Sequence, residues 1–336
     1  MTGGHPSRLD RYRPRAARAV GLLGRRETYR SLALEAIWTM RPRELALRSP
    51  SWAIPAPAAG RLSVDWPLES QWPGALAWVE TLRQGLAAHV PVNRSEIEQP
   101  FVNTVFFDVR VGARTHRVAI DYADSNEIVA EGAHPARLLF KLQYAEDGYG
   151  RDDVVPGGYV VGQPQLYKYL ARLRRLRDQK PPLYDVYGRF GAHGLPVREQ
   201  VMAELARQER FAFHGSLGTV LYVESMRESA RARVCVDLPG RGYFCYRLAD
   251  YLAIGSCIVA VPHRNRLPVP LVDGEHVIFS APDGADFVER CLELLEDPDA
   301  RQRLVQGSRE YFDRYLHPAQ LAAYYLSTVL ERLGEG

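Results

Sequence analysis

Short apolar runs alternate with longer amphipathic stretches along the second half of the chain. The runs, rich in β-branched residues, cover residues 183–187, 211–213, 233–237, 257–261 and 277–279. Hydrophobic residues at helical spacing fill the stretches 196–208, 219–230, 244–253 and 285–295. This alternation predicts a parallel sheet with helices on both faces. Two more helices are predicted over 298–315 and 318–333.

The first half of the chain has a less regular pattern. Apolar runs at 104–109, 116–121, 137–143 and 159–161 predict strands, and residues 74–88 and 165–177 predict helices. Residues 178–182 then break the pattern with a proline pair, which fixes two φ angles and disfavours helix before it. We therefore predict an α/β fold with an N-terminal domain at 1–180 and a C-terminal domain at 181–316.

Composition limits the classes of protein to be considered. The 336 residues suit two domains, and 46% hydrophobic with 25% charged residues is typical of a globular protein. No apolar run approaches the roughly 20 residues that span a bilayer, so a soluble protein is expected. The arginine-rich first 25 or so residues, expected to be flexible, lack the apolar stretch of a secretory signal and favour a cytoplasmic location.

Charge and cysteine content exclude two further classes. The net charge of +3 is spread along the chain, which argues against a nucleic-acid-binding protein. The four cysteines form no Cys-x-x-Cys pair, so structural zinc and disulfides are not expected.

One strand-to-helix connection carries candidate chemistry. The strand at 233–237 leads into a glycine-rich loop and then a helix that begins near Phe244. In parallel α/β sheets ligands bind beyond the carboxyl ends of the strands, where glycines admit close backbone approach and helix N-termini attract phosphate. An arginine one turn into the helix supplies a guanidinium that can bind a phosphate through two hydrogen bonds. A tight turn followed by a surface arginine, with no ligand, gives the same sequence pattern. The predicted phosphate-binding residues are Gly240, Arg241, Gly242, Tyr243, Phe244 and Arg247.

The residues that follow carry a family resemblance. Residues 247–260, RLADYLAIGSCIVA, resemble the "E-x-L-A-x-G-x-P-V-V" pattern of GT-B-fold glycosyltransferases. Residues 268–279 resemble their "P-x-x-x-D-G-x-x-x-x-x-V" stretch, and 287–304 are similar to their late helix pair. Upstream, 211–215 and 230–240 are similar to exostosin-like and CAP10-like members, so the resemblance extends over about 183–316.

The resemblance implies two Rossmann-like domains facing a cleft and sugar transfer from a nucleotide diphosphate to a hydroxyl or amine. It implies no cofactor and no metal, and a last helix that crosses back onto the N-terminal domain. Asp250 takes the position of a glutamate that accepts hydrogen bonds from ribose. Family-4 retaining enzymes carry two glutamates eight positions apart, and Gly242 stands where they have the first of them, so the stereochemistry stays open. A sugar-nucleotide epimerase and a non-catalytic nucleotide-binding module are the alternatives.

Further candidates follow other strands. Asp121 and Asp124 are candidates for the base that deprotonates the acceptor, or else cap a turn. Lys141 and Tyr144 are placed on the acceptor side. Candidate donor contacts are Arg189, His214 and Glu275, although a histidine at a strand end is also typical of a structural hydrogen bond. The only Asp-x-Asp triplet, at 297–299, is predicted to cap a helix and not to bind metal.

Overall fold

The computed structural model describes residues 26–42, 51–71, 76–128, 135–191, 195–218, 220–240, 242 and 244–334. Over these residues the chain forms two sheets covered by helices, which confirms the predicted α/β class. Residues 1–25, for which flexibility is predicted, lie outside the described residues. Nowhere in these ranges does a helix combine the length and apolarity needed to cross a membrane.

The N-terminal unit is built on a mixed six-stranded sheet of order β2-β1-β3-β4-β5-β6. An antiparallel hairpin, β3–β4, lies at its centre and turns at Gly112, whose φ is +60°. β4, β5 and β6 run parallel to one another, so their carboxyl ends share one edge. The strands are β1 (Leu62–Pro67), β2 (Val92–Ser95), β3 (Thr104–Val111), β4 (Arg114–Asp121), β5 (Leu138–Lys141) and β6 (Val154–Pro156), and the helices are α1 (Arg26–Met40), α2 (Ala56–Ala59), α3 (Leu76–Ala87) and α4 (Gln165–Gln179).

One strand prediction in this unit is wrong. Residues 159–161 are buried but have no strand structure, and the edge of the sheet is instead formed by β6. Pro156 ends β6, and Gly158 has a φ of +69°, which turns the chain away from the ladder. The apolar residues at 159–161 are therefore buried by packing and not by strand pairing.

The C-terminal unit has a five-stranded parallel sheet of order β11-β10-β9-β7-β8. From β7 the chain moves outward to β8, then returns to the other side of β7 at β9. The pair β7 and β9 is thus the switch point at which the winding reverses. The strands are β7 (Tyr184–Arg189), β8 (Phe213–Ser216), β9 (Ala232–Asp237), β10 (Ile258–Ala260) and β11 (Ile278–Phe279), and the helices are α5 (Pro196–Arg207), α6 (Tyr222–Ala230), α7 (Tyr246–Ile254), α8 (Phe287–Glu296), α9 (Pro298–Tyr311), a π-helical turn (Phe312–Leu316) and α10 (Pro318–Arg332).

The last helix, α10, packs on the N-terminal unit. A Cβ at Gly85 of α3 would collide with the carbonyl oxygen of Pro318, so glycine allows the two helices to meet. Tyr325 donates a hydrogen bond to the Gly157 carbonyl at 2.5 Å, and its ring centre lies 4.4 Å from that of Phe140 in β5. One apolar cluster accordingly runs from the N-terminal sheet through α10 into the C-terminal unit.

Candidate functional site

Two guanidinium groups meet at the switch point of the parallel sheet. Arg247, in the first turn of α7, lies with its guanidinium carbon 4.1 Å from the ring centre of Phe190, the residue after β7. Arg198, in the first turn of α5, approaches the same ring at 5.4 Å. Both groups also donate to the carbonyl of Leu238, at 2.8 Å from Arg247 and 3.3 Å from Arg198. The crevice beyond β7 and β9 is therefore lined by two cations.

Asp237, at the end of β9, is a carboxylate that both arginines face. Its Oδ1 accepts from Arg247 Nε at 3.1 Å, and only 4% of the residue is exposed. Burial raises the pKa of Asp237 in spite of the arginine charges. Burial, followed by the charge of Arg247, lowers the pKa of Arg198. Burial also acts to lower the pKa of Arg247, but Asp237, Cys245 and Tyr251 together outweigh it and the pKa is raised. Two guanidiniums against this one carboxylate favour the entry of an anion.

The loop between β9 and α7 brings backbone close to this pair. A Cβ at Gly240 would come within 2.9 Å of Cys245 Sγ and 3.6 Å of Arg198 Nη2, so the loop passes directly beside the cations. Cys245 precedes α7 and does not cap it with its side chain, and the Leu248 amide donates to the Cys245 carbonyl at 3.0 Å. The amides of Tyr246 and Arg247, at the start of the helix, are therefore the ones available to a ligand. Two of the predicted loop residues, Arg241 and Tyr243, lie outside the described residues.

The N-terminal unit supplies the opposite wall. Gln143, two residues past β5, donates to Asp124 Oδ1 at 3.1 Å and to the Phe244 carbonyl at 3.0 Å. Its own Oε1 accepts from Asn265 Nδ2 at 2.7 Å, in the segment after β10. A Cβ at Gly242 would overlap both Asp124 and Gln143. The carboxyl ends of parallel strands from both sheets thus meet across this loop.

The acceptor-side candidates separate into two groups. Asp121 and Lys141 pair at 3.2 Å, and both are buried. Burial raises the pKa of Asp121 and lowers that of Lys141, each opposed by the charge of the other. Asp124 is exposed and adjoins Gly242, whereas Tyr144 is buried with its ring against Tyr149 at 5.0 Å. Among these four, Asp124 is the exposed side chain beside the loop after β9.

Arg189 and His214 form a separate cluster with α6. Arg189 forms a bidentate ion pair with Glu228, in which Nε donates to Oε2 at 2.7 Å and Nη2 donates to Oε1 at 3.0 Å. Its Nη2 lies 3.0 Å from His214 Nε2, and the His214 ring stacks on Tyr184 at 4.1 Å. The charge of Arg189 is thus already balanced by a carboxylate within the C-terminal unit.

Asp250 and Glu275 lie in two further environments. Asp250 is buried and accepts from Tyr222 hydroxyl at 2.6 Å and from the Gly162 amide at 2.8 Å, which joins the two units. Burial raises the pKa of Asp250 to about 7. Glu275 is 64% exposed and lies 3.3 Å from His276.

The structure therefore brings Arg247, Gly240, Gly242 and Asp124 to one place. It adds three residues that the pattern of the sequence did not single out, namely Arg198, Gln143 and Asn265. Gln143 is the last residue of the predicted strand 137–143, and a polar residue at the carboxyl end of a strand was a signal for it. Arg198 has no such signal, because an arginine in an amphipathic stretch is usually exposed.

Comparison with known proteins gives little further guidance. No family model matches the chain, and no curated protein matches its sequence. Among solved structures, the crystal structure of MurG from Acinetobacter baumannii is similar with a TM-score of 0.33 and 10% identity, over 59% of this chain and 60% of that chain. The chain thus matches less than two thirds of the length of MurG. A likeness of this size supports neither an activity nor a substrate.

Proposed function

We propose that the protein is a GT-B-type glycosyltransferase that moves a sugar from a nucleotide-diphosphate donor to a hydroxyl or amine. The observation that carries the proposal is the pair Arg198 and Arg247 at the switch point, beside the N-terminus of α7. In doubly wound sheets this crevice is the place where phosphorylated ligands bind.

The arginine pair suits the charge that develops on a leaving diphosphate. When the bond between the anomeric carbon and the diphosphate oxygen breaks, the electron pair stays on that oxygen. Preformed guanidiniums and helix amides stabilise this charge without having to reorient. Asp237 holds Arg247 in place before the donor arrives, since its Oδ1 accepts from Arg247 Nε at 3.1 Å. No metal is required in this scheme.

Asp124 is proposed as the base. Its exposed carboxylate adjoins the Gly242 loop and is oriented by Gln143. It takes the proton of the acceptor hydroxyl or amine as the acceptor atom bonds to the anomeric carbon. Asp121 is proposed to act indirectly, because its pairing with Lys141 fixes the turn that carries Asp124.

A binding screen followed by a transfer assay tests the proposal. UDP, GDP, dTDP or CMP should raise the melting temperature of the protein by mass action. Arg198→Lys and Arg247→Lys should each reduce that rise in melting temperature, because lysine keeps the charge but lacks the planar guanidinium that forms two parallel hydrogen bonds. Arg210→Lys is the matched control, since Arg210 forms an exposed ion pair with Glu289. Equal weakening in all three variants would contradict the assignment.

Activity measurements separate the alternatives. With the preferred sugar nucleotide, Arg247→Ala should lower turnover roughly tenfold or more, since a charge-assisted contact contributes about 1.5–3 kcal/mol. Conversion of the donor sugar without an acceptor would instead support an epimerase. Nucleotide binding without turnover, over a broad set of acceptors, would support a non-catalytic module.

A further inference from the structure

Helix α1 exposes much of its apolar surface to solvent. Its buried positions include two small polar residues, Thr28 and Ser31, each 3% exposed. Amphipathic helices on globular proteins have the opposite arrangement, with apolar residues facing the core. Four of the six large apolar residues of α1 are exposed, namely Tyr29 at 59%, Leu32 at 40%, Ile37 at 50% and Met40 at 73%, whereas Leu34 and Trp38 are partly buried and Trp38 packs against Tyr169.

These residues form one continuous strip. Successive residues of an α-helix are rotated by about 100° around its axis. This rotation places four residues on one side of α1, with Leu32 and Ile37 flanking them; the four are Tyr29, Ala33, Ala36 and Met40. Both alanines are also exposed. We call these six residues the apolar stripe, and it runs for about 17 Å along the helix. A contiguous exposed apolar surface of this kind marks a site of interaction.

Basic residues border the apolar stripe. Lys168, Arg172 and Arg175 recur at i, i+4 and i+7 along α4 and so share one face of it. That face meets the end of α1, where Arg172 donates to the Arg41 carbonyl at 2.6 Å. Arg30 is exposed at the other end of the stripe.

We propose that the apolar stripe lies on an anionic membrane surface. A helix that combines an apolar strip with a basic border binds in the plane of the interface, where acidic headgroups neutralise the border and the acyl region takes up the strip. A second copy of the chain would fit less well, because its equally basic border would repel this one. A nucleic acid would leave the apolar strip in water. This assignment is independent of the transferase proposal.

Vesicle sedimentation of the full chain tests the proposal. The protein should bind vesicles of equal parts phosphatidylglycerol and phosphatidylcholine, and bind phosphatidylcholine alone at least about tenfold more weakly. The variant Leu32→Ser/Ile37→Ser/Met40→Ser should reduce binding to the mixed vesicles by at least about tenfold. The variant Lys168→Gln/Arg175→Gln should reduce it too, by a factor that shrinks as salt is raised.

A matched control and two further measurements make the outcome decisive. The variant Val102→Ser/Leu217→Ser/Val272→Ser removes three exposed apolar residues elsewhere, so it should bind like the wild type. Unchanged melting temperatures establish that all variants are folded. Binding that is equal in the stripe variant and the control overturns the proposal. The proposal is also overturned if the wild type binds no vesicles but sediments as a dimer, and the stripe variant sediments as a monomer. That result would assign the apolar stripe to contact with a second copy of the chain.

Discussion

Replacing Arg247 by methionine separates the structural role of its guanidinium from its role in binding. Methionine keeps the unbranched, apolar part of the side chain, whereas the positively charged guanidinium is lost. Asp237 is then left buried at the end of β9 without its nearest cation, because it accepts from Arg247 Nε at 3.1 Å and is 4% exposed. The free energy of unfolding should fall for this reason, before any ligand is considered.

The size of the effect follows from the surroundings of Asp237. Removing one partner of a buried ion pair costs about 3–5 kcal/mol. The charge of Arg198 also reaches Asp237, so we expect the lower end, about 3 kcal/mol. In the double variant Asp237→Asn/Arg247→Met the uncompensated charge is absent, and roughly 2 kcal/mol should be recovered.

The dependence on pH has a defined sign. Burial already raises the pKa of Asp237, and removal of Arg247 raises it further. A carboxyl whose pKa is raised by folding contributes its stability at low pH, below its ordinary pKa, and loses it as the pH rises through the folded value. The single variant should therefore fall further behind the double variant between pH 5 and pH 8.

Urea unfolding followed by circular dichroism, at pH 5 and pH 8, measures these differences. Nucleotide titration of the double variant completes the experiment, since it should fold nearly like the wild type and still bind the nucleotide more weakly. A single variant within about 0.5 kcal/mol of the wild type at pH 8 would refute the argument that Asp237 depends on Arg247.

Three further predictions concern other buried contacts. Because burial raises the pKa of Asp250 to about 7, the wild type should lose up to about 4 kcal/mol of stability between pH 4 and pH 8, and Asp250→Asn should remove this loss in urea titrations. Lys141→Met should cost about 3–5 kcal/mol by leaving Asp121 without its partner, and a restoring effect of Asp121→Asn checks the cause. Gly85→Ala should lower the melting temperature by several degrees, because its Cβ collides with the backbone of Pro318, whereas an unchanged melting curve would contradict that packing.

The parallel sheet was predictable because each of its elements has a local signature. β7, β9 and β10 contain buried apolar residues, and a helix follows β7, β8, β9 and β11 after a short connection. The N-terminal unit lacks that regularity. β1 contains Asp65 and ends in Pro67, and its Asp65 forms an ion pair with Arg110 of the neighbouring β3. A partner 45 residues away gives no local pattern, so β1 and β2 were not predicted.

The candidate site likewise contains residues that the sequence predicts and residues that it does not. The sequence predicts two parts of the site, the loop after β9 and the side chain of Arg247, because ligands in parallel α/β sheets bind where a strand leads into a helix N-terminus. Arg198 does not, because its burial depends on Phe190 and on the Leu238 carbonyl, which only the fold places beside it. Gln143 likewise acquires its partners, Phe244 and Asn265, from more than 100 residues away.

The return of α10 to the first half of the molecule constrains how the chain reaches its native state. A ribosome finishes residues 318–332 last among the described helices, and until then the surface around Phe140 and Gly85 has no cover. About 150 residues separate the end of α4 from the end of α10, which at ordinary rates of translation is a delay of roughly 10–30 s. Over that interval the nascent N-terminal sheet is a natural client for a chaperone.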